Sequence, residues 1–316
     1  MLRMFSTVNG RTEQIEKPEP GAWLCLTEPT DVELTTVATE CDIDLADLRA
    51  PLDDEERSRV DVENDYTMVI VDIPTVEERG GRDWYETIPL SIIVTEDAIV
   101  TVCMKDTPLL HPFMEGTIRG FNTFMKSRFI LQILYRNATM YLRYLRIIDH
   151  ESDKLEFRLR NAMRNEEILQ LMELSKTLVY FATSLKSNEI VLEKMTSLDR
   201  IRQYPDDADL LDDVITENKQ AIEMANIYSG VLAGMTDAFG SIVSNNVNNV
   251  MRVFTIISIV ISVPTLIFSM YGMNFQTGML GMPLTDKPWG FCVVVGVSML
   301  VAGIVAWILT RSKMFK

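Results

Sequence analysis

Several residue types are scarce in this 316-residue sequence, and each shortage excludes a class of function. The four cysteines show no Cys-x-x-Cys spacing, and only two histidines accompany them, so a structural zinc site is not expected. We expect the cysteines to be buried small apolar residues in a reducing compartment. They are Cys25, Cys41, Cys103 and Cys292.

Basic residues are also in short supply, with 30 Lys and Arg against 45 Asp and Glu and a net charge of -15. Nucleic acid is therefore not an expected partner, because phosphate binding needs clustered Lys and Arg. An acidic protein is better suited to gathering divalent cations. The sequence contains no Gly-rich phosphate loop and no nucleophile elbow, so we predict no catalytic residues and no organic cofactor.

Charge is absent altogether between residues 253 and 270, where only Thr, Ser and Pro interrupt an apolar run. A helix of about 20 such residues crosses the roughly 30 Å hydrocarbon core of a bilayer. We predict transmembrane helices at 250–273 and 289–310, joined by an outer loop at 274–288 and followed by a basic tail at 311–316.

The charges that flank these segments predict their orientation. Arg252 precedes the first segment, the tail after the second carries Arg311, Lys313 and Lys316, and the loop carries only Asp286 and Lys287. By the positive-inside rule both termini lie in the cytosol. The first twenty residues lack the apolar core of a secretory signal, which agrees with a multi-pass protein of the cell (inner) membrane.

Polar and small residues of the first segment recur at steps of three and four, which places them on one stripe of a helix. The stripe contains Asn248, Met251, Thr255, Ser258, Ser262, Thr265, Ser269 and Gly272. One interpretation is a ring of copies that turn these positions toward a shared pore. The alternative is close helix packing, because Ser, Thr and Gly are also the usual contact residues between membrane helices.

The region before the membrane segments divides by pattern into three parts. Residues 1–122 show both strand and helix patterns, although no secondary structure is predicted for residues 1–20. The predicted elements are a strand at 23–27, a helix over 31–47 capped at Thr30 or Asp31, a strand at 66–73 ended by Pro74, and a hairpin at 88–104. Residues 123–205 predict a helical hairpin. Residues 206–249 predict a stalk helix that continues into the membrane, about 95 Å long in all at 1.5 Å per residue.

The sequence Tyr271-Gly272-Met273-Asn274-Phe275 closes the first membrane segment, after a long N-terminal region and before a terminal hairpin. This arrangement resembles the CorA family of magnesium channels, whose signature is Gly-Met-Asn, and the resemblance covers the whole chain. It implies a funnel-shaped homo-oligomer, in that family a pentamer. The ion is expected to be Mg²⁺, with cobalt or nickel as surrogates.

The resemblance assigns Gly272, Met273 and Asn274 to ion selectivity. Mg²⁺ releases its water reluctantly, so a ring of Asn274 amides can hold the hydrated ion by hydrogen bonds. Without the resemblance, Asn274 is interpreted as a helix C-terminal cap. The outer loop departs from the family pattern, because Gly281-Met282-Pro283 is followed by Leu284 where many relatives have an acid.

Two further sets of residues are candidates for control. Met251 and Phe254 lie near the cytosolic end of the stripe and would form an apolar gate, unless they contact lipid or a neighbouring helix instead. The resemblance also implies regulatory Mg²⁺ at subunit contacts, at Asp213 and, less well matched, at Asp53 and Asp54. Acidic runs of this kind are otherwise solvated surface.

Two other functions remain open on the sequence alone. A zinc transporter of the ZntB type shares the same architecture, although two histidines and no thiolate cluster favour a harder metal. A membrane-anchored sensor or enzyme would need the hairpin only as an anchor, but an anchor has no use for a polar stripe.

Overall fold

The computed structural model describes residues 1–8, 10–161, 165–198, 205–273 and 289–311. Contacts divide the chain into two compact units, Met1–Thr236 and Asp237–Lys316. The first unit contains a seven-stranded sheet with helices on both faces, and the second contains the end of a long helix and the last helix. This confirms the predicted class, a mixed α/β domain followed by a long helix and two C-terminal apolar helices.

The sheet has the order β2-β1-β3-β7-β6-β5-β4, in which only β3 and β7 are parallel. The strands are β1 Leu2–Val8, β2 Arg11–Ile15, β3 Ala22–Thr27, β4 Arg59–Val62, β5 Tyr66–Arg79, β6 Arg82–Thr95 and β7 Ala98–Cys103. Alternate side chains of β3 pack into two different hydrophobic cores, because successive residues of a strand point to opposite faces of the sheet. Trp23 joins the core on the α4 and α5 side, whereas Leu24 joins the core on the α1 side.

The helices are α1 Asp31–Cys41, α2 Leu45–Arg49, α3 His111–Met114, α4 Lys126–Asn161, α5 Asn165–Thr196, α6 Pro205–Tyr271 and α7 Gly290–Arg311. Helix α6 begins on the first unit, where Asn218 donates to the Leu185 carbonyl at 3.1 Å and Asp207 accepts from Ser127 Oγ at 2.6 Å. The predicted unbroken stalk and membrane helix is therefore confirmed, and it runs through Pro264.

Three predictions about local structure were wrong. Residues 1–20 contain strand β2, a polar strand at the edge of the sheet that gives little apolar pattern, and strand β1, which pairs between β2 and β3. The helix over 31–47 is two helices, because Asp42 takes the left-handed conformation at φ 52° and ends α1. Strand β5 does not end at Pro74. It continues to Arg79, since β4 pairs with β5 only as far as Ile70 and a proline is tolerated on an unpaired edge.

The expected burial of the cysteines holds for only two of the four. Cys25 and Cys103 are buried in the sheet, where burial raises the pKa of the Cys103 thiol to about 12. Cys41 is half-buried, and Cys292 is exposed on α7. A helix that is apolar all round has no single buried face, so apolar character did not predict burial at Cys292.

Candidate functional site

The last part of α6 has one covered face and one open face within the second unit. The half-buried positions follow one another at helical spacing and are Arg252, Ile256, Val260, Val263, Pro264, Ile267 and Tyr271. The predicted stripe lies on the opposite side of the helix, and every one of its positions from Asn248 to Gly272 is exposed. The stripe is therefore part of the surface that the rest of this chain leaves free, together with exposed apolar positions such as Ile257 and Ile261.

The hydroxyl groups of the stripe are bonded to their own helix. Thr255, Ser258, Ser262 and Thr265 donate to the carbonyls of Met251, Phe254, Ser258 and Ile261 at 2.8, 2.9, 2.7 and 2.9 Å. The protons point into the helix, so the outward-facing polar groups are oxygen lone pairs, which accept hydrogen bonds from water. These bonds also lower the cost of placing a hydroxyl in lipid, so the hydroxyl groups alone do not decide between a shared pore and close helix packing.

Helix α6 ends next to the predicted selectivity residues. Gly272 N–H donates to the Phe268 carbonyl at 2.9 Å, and Met273 N–H to the Met270 carbonyl at 3.3 Å. A Cβ on Gly272 would lie 3.4 Å from the Phe268 oxygen, an ordinary contact, so this chain alone does not require glycine there. Met273 is 58% exposed. Asn274, the third residue of the signature, lies outside the described residues.

The two predicted gate residues are both accessible. Met251 is 56% exposed and Phe254 is 65% exposed. They lie about one turn apart, on either side of Arg252 and at the N-terminal end of the apolar segment. One charged residue of the same stripe was missed in the sequence analysis. Asp237 precedes Asn248 by about three helical turns, on the same face, and is exposed. Extending the same spacing of three and four residues toward the N-terminus from Asn248 would have identified Asp237.

The predicted regulatory acids are separate, exposed residues in this chain. Asp213 is exposed on α6, and Asp53 and Asp54 are exposed after α2. Asp53 Oδ1 accepts from the Glu55 N–H at 3.1 Å, which is a local turn contact. Across the described parts of the chain, no group of three or more His, Cys, Asp or Glu side chains is placed to hold a metal ion.

Helices α6 and α7 are both long and apolar enough to cross a membrane. Together with the α/β domain and the continuous helix that joins it to this pair, they define a class: membrane proteins with a large N-terminal domain and a C-terminal two-helix hairpin. The family described as CorA-like Mg2+ transporter protein matches residues 20–311. The chain belongs to this family, which confirms the resemblance and makes it a member of a transporter family rather than of an enzyme family.

Two relatives described as transport proteins support the assignment of the chain to this family. The cobalt/magnesium transport protein CorA of Methanocaldococcus jannaschii is 26% identical over 299 residues, which cover 92% of this chain and 90% of the relative. The CorA protein of Thermotoga maritima is 23% identical and covers 82% of this chain and 73% of its own length.

Solved structures show the same fold. The complete CorA magnesium transporter from M. jannaschii superposes with a TM-score of 0.84 and 24% identity, over 99% of this chain and 98% of that one. The cytoplasmic domain of ZntB from Vibrio parahaemolyticus superposes with a TM-score of 0.61 and 11% identity, over 77% of this chain and 98% of that one. The family model and the relatives described as cobalt/magnesium transport proteins make the ZntB-type alternative the less favoured one.

Proposed function

We propose that several copies of this chain form a membrane channel for hydrated divalent cations, with Mg²⁺ as the main ion. The observation that carries the proposal is the open stripe of α6, which lies opposite the covered face and presents oxygen lone pairs. Such acceptors suit the water shell of an ion that keeps its water. Membership in the Mg2+ transporter family and relatives described as cobalt/magnesium transport proteins support the ion class.

The driving force in this proposal is the membrane potential. Moving one positive charge into a negative cell releases about 2.3 kcal/mol of free energy per 100 mV, and a divalent cation releases twice that amount. No ATP-binding motif or organic cofactor is needed, and we expect no enzymatic activity. The uncharged segment from 253 to 270 suits rapid passage, because a fixed carboxylate there would hold a divalent ion too tightly.

We assign selectivity to Gly272, Met273 and Asn274, with the Asn274 amides holding the hydrated ion at the outer mouth. Met251 and Phe254 form the apolar gate, and their exposure leaves them free to meet the same residues of other copies. Asp237 adds a ring of carboxylates on the cytosolic side of the gate. That ring would concentrate cations without placing charge inside the membrane segment.

Regulation is assigned to contacts between copies. We propose a homopentamer in the cell membrane with both termini in the cytosol, in which Mg²⁺ binds between Asp213 of one copy and acids such as Asp53 and Asp54 of the next. Bound Mg²⁺ would offset the repulsion between acidic subunits and favour the closed ring. The exposure of all three acids in a single chain is what such a shared site requires.

The ion and the driving force are tested together with purified full-length protein in liposomes. We expect Mg²⁺ uptake that rises with an inside-negative potential, with cobalt accepted as a surrogate and no dependence on a proton gradient. Uptake of Zn²⁺ that is faster than that of Mg²⁺ and requires a proton gradient would instead support a ZntB-type transporter.

Regulation has a separate test in limited trypsin digestion. Wild-type protein should be protected by Mg²⁺ between about micromolar and millimolar concentrations, the range of sensor carboxylate sites. Asp213→Asn should lose that dependence. Equal protection of both proteins by Mg²⁺ would remove Asp213 from the regulatory site without affecting the proposed conduction path.

A further inference from the structure

Basic residues of the first unit are concentrated in one stretch of sequence. Residues 116–148, which contain about the first two thirds of α4, carry six Lys and Arg and no Asp or Glu, although the whole chain has a net charge of -15. Arg119, Arg143 and Arg146 are exposed, and no hydrogen bond or salt bridge joins them to another residue that the structure describes. We call these three residues, together with the half-buried Arg136, the basic surface.

Two positive charges of the basic surface lie near each other. The Nε of Arg136 donates to the Leu109 carbonyl at 3.1 Å, which holds this side chain in place. Burial lowers the pKa of Arg136, and the nearby charge of Arg143 lowers it further. Guanidinium groups that no carboxylate neutralises repel each other, and an anionic partner removes this repulsion. The basic surface therefore suits an acidic partner.

Acidic residues are concentrated in a different stretch. Residues 28–56, which contain α1 and α2, carry eleven Asp and Glu and a single Arg. That arginine, Arg49, is already paired with Asp31 at 2.8 Å. The exposed acids that follow α2 form no salt bridge within the described parts of the chain. We call these acids, Asp53, Asp54 and Glu55, the acidic surface.

The sheet separates the two surfaces. Leu52, next to Asp53, packs against the core on the α1 side of the sheet, whereas Leu134 of α4 is buried in the core on the other side. Arg143 lies nine residues after Leu134, which places it on the outward side of α4. The two surfaces therefore face in opposite directions. A two-fold contact through either surface would bring like charges together, whereas head-to-tail contacts around a ring bring opposite charges together.

Both surfaces lie at the same end of the sheet. Asp53 lines a cavity with Pro29, two residues after the end of β3, and β3 ends beside Cys103 of β7. On the other side of the sheet, Arg136 bonds to Leu109, which is buried in the same core as Cys103. Rotation about the axis of a ring keeps every residue at its own height. Surfaces at the same height can therefore meet when copies stand side by side.

The proposed regulatory contact lies beside the basic surface. Helices α4 and α6 run side by side in the same direction, as two contacts show: Ser127 Oγ with Asp207 at 2.6 Å, and Ser152 Oγ with Met235 Sδ at 3.7 Å. Counted from the first contact, Arg136 is nine residues along α4 and Asp213 is six residues along α6, so they differ in height by about 5 Å. A copy that brings its acidic surface to Asp213 therefore also brings it toward the arginines.

We propose that the basic surface of each copy binds the acidic surface of the next, so that each contact in the ring pairs arginines of α4 with carboxylates that follow α2. This inference rests on the proposed function, which supplies the ring and its Mg²⁺ site. It adds what holds neighbouring copies together when cytosolic Mg²⁺ is low and Asp213 repels Asp53 and Asp54. The arginines then supply the attraction between copies.

The contact is tested by the concentration at which purified full-length protein dissociates in detergent with EDTA, measured by light scattering. Arg143→Glu with Arg146→Glu should raise that concentration at least about ten-fold, because like charges then face each other across the contact. Adding Asp54→Lys and Glu55→Lys exchanges the charges on both sides, and it should restore the concentration toward the wild-type value.

The matched control makes the same change of charge outside both surfaces. Lys176→Glu with Lys186→Glu, at exposed positions of α5, should leave dissociation unchanged. If the Arg143→Glu, Arg146→Glu variant does not fold, Gln at both positions should shift dissociation in the same direction by a smaller factor. Wild-type dissociation of the arginine variants, or no recovery after the exchange, would overturn the proposal. A wild-type protein that is monomeric would contradict the proposed ring and this contact with it.

The position of the contact has an independent test. With Cys41 and Cys292 replaced by Ser, a protein with Arg143→Cys and Asp54→Cys should be joined between copies by a short bifunctional thiol reagent. The result should be a ladder of linked chains on a denaturing gel. Lys186→Cys with Asp54→Cys is the control and should give no ladder. A ladder from both pairs, or from neither, would overturn the proposed contact while leaving the ring itself untouched.

Discussion

The side-chain amide of Asn188 occupies the place of a β-strand beside Asp72. Asn188 Oδ1 accepts from the Asp72 N–H at 2.9 Å, and Asn188 Nδ2 donates to the Asp72 carbonyl at 2.8 Å. Strand β4 pairs with β5 only as far as Ile70, so the Asp72 N–H depends on Asn188, whereas the Asp72 carbonyl also accepts from Asn137 Nδ2 of α4 at 2.9 Å. One side chain of α5 therefore completes the edge of β5 and fixes the helix to the sheet.

Asn188→Ala should destabilise the protein by about 1–3 kcal/mol, the cost of leaving a buried polar group unsatisfied. The measurement is urea unfolding of the full-length protein in detergent, followed by intrinsic fluorescence. The control is Thr183→Ala on the exposed face of the same helix, whose hydroxyl donates only to its own helix and whose loss should cost less than about 0.5 kcal/mol. Equal costs for the two variants would mean that the amide bonds contribute nothing measurable.

Gly21 is required for two reasons that can be separated. Its φ is +81°, and a Cβ would lie 2.2 Å from Phe124 Cδ1. Gly81 has nearly the same φ, +79°, with no atom within 4 Å of the added Cβ. Gly21→Ala should therefore cost about 1 kcal/mol more than Gly81→Ala, the lower end of the overpacking penalty, because Phe124 is 53% exposed and can turn aside. Adding Phe124→Ala should remove most of that excess, and an unchanged excess in the urea midpoint would contradict the contact.

The carboxylate of Glu33 ties the start of α1 to the chain N-terminus. It accepts from the Thr30 N–H at 2.8 Å and from the Leu2 N–H at 2.7 Å, and it lies 3.1 Å from the terminal ammonium. The hydrogen bond from the Thr30 backbone is the largest cause of a pKa lowered from 4.5 to about 2. Because the folded pKa is lowered, the ionised carboxylate stabilises the fold above pH 4.5, and this contribution is lost as the pH falls toward 2.

Glu33→Gln keeps a hydrogen-bond acceptor but loses the charge beside the helix N-terminus and the terminal ammonium, so it should lower stability at neutral pH by about 0.3–1 kcal/mol. The difference from wild type should shrink between pH 4.5 and about pH 2. Glu40→Gln, at an exposed position of the same helix, is the control. A difference between wild type and Glu33→Gln that stays constant across this pH range would show that the charge of Glu33 has no part in the stabilisation.

The open stripe of α6 makes a geometric prediction about water. With Cys292 replaced by Ser, single cysteines at Ser258, Ser262, Thr265 and Ser269 should react with a small water-soluble thiol reagent. Cysteines at Ile257, Ile261 and Ile267 should not react, because those positions face lipid or the covered side. The measurement is the labelling rate in intact membranes. Equal labelling of both sets would show that no water-filled path follows the stripe.

Sequence patterns predicted the parts of this protein that depend on local repetition. The helix from Pro205 to Tyr271 and the cap at Thr30 follow from spacing and capping residues alone. The edge strand β2 has no apolar period to detect. The bonds of Asn188 to Asp72 join residues 116 positions apart, so no local signal could reveal them.

For the candidate site too, some features could be predicted from the sequence and others could not. Helical spacing predicted the stripe at Ser258 and Ser262, and following it further back would have added Asp237. The direction of the hydroxyl protons could not be predicted, because it depends on the choice between a bond to water and a bond to the preceding turn. The contacts between copies could not be predicted, because the sequence of one chain does not show which surfaces of two copies meet.

The assignment of Asn274 to ion selectivity predicts a loss of transport without a loss of assembly. If its amide holds the water shell of Mg²⁺, Asn274→Ala should abolish uptake into liposomes, while the protein still migrates as the wild-type oligomer on size exclusion. Asn274→Asp should also fail or change the ion preference, because a ring of carboxylates binds the ion too tightly or removes its water. Gln276→Ala, two residues further along, is the matched control and should transport normally. Wild-type uptake by Asn274→Ala would return this residue to the role of a helix cap and leave the selectivity of the channel to other groups.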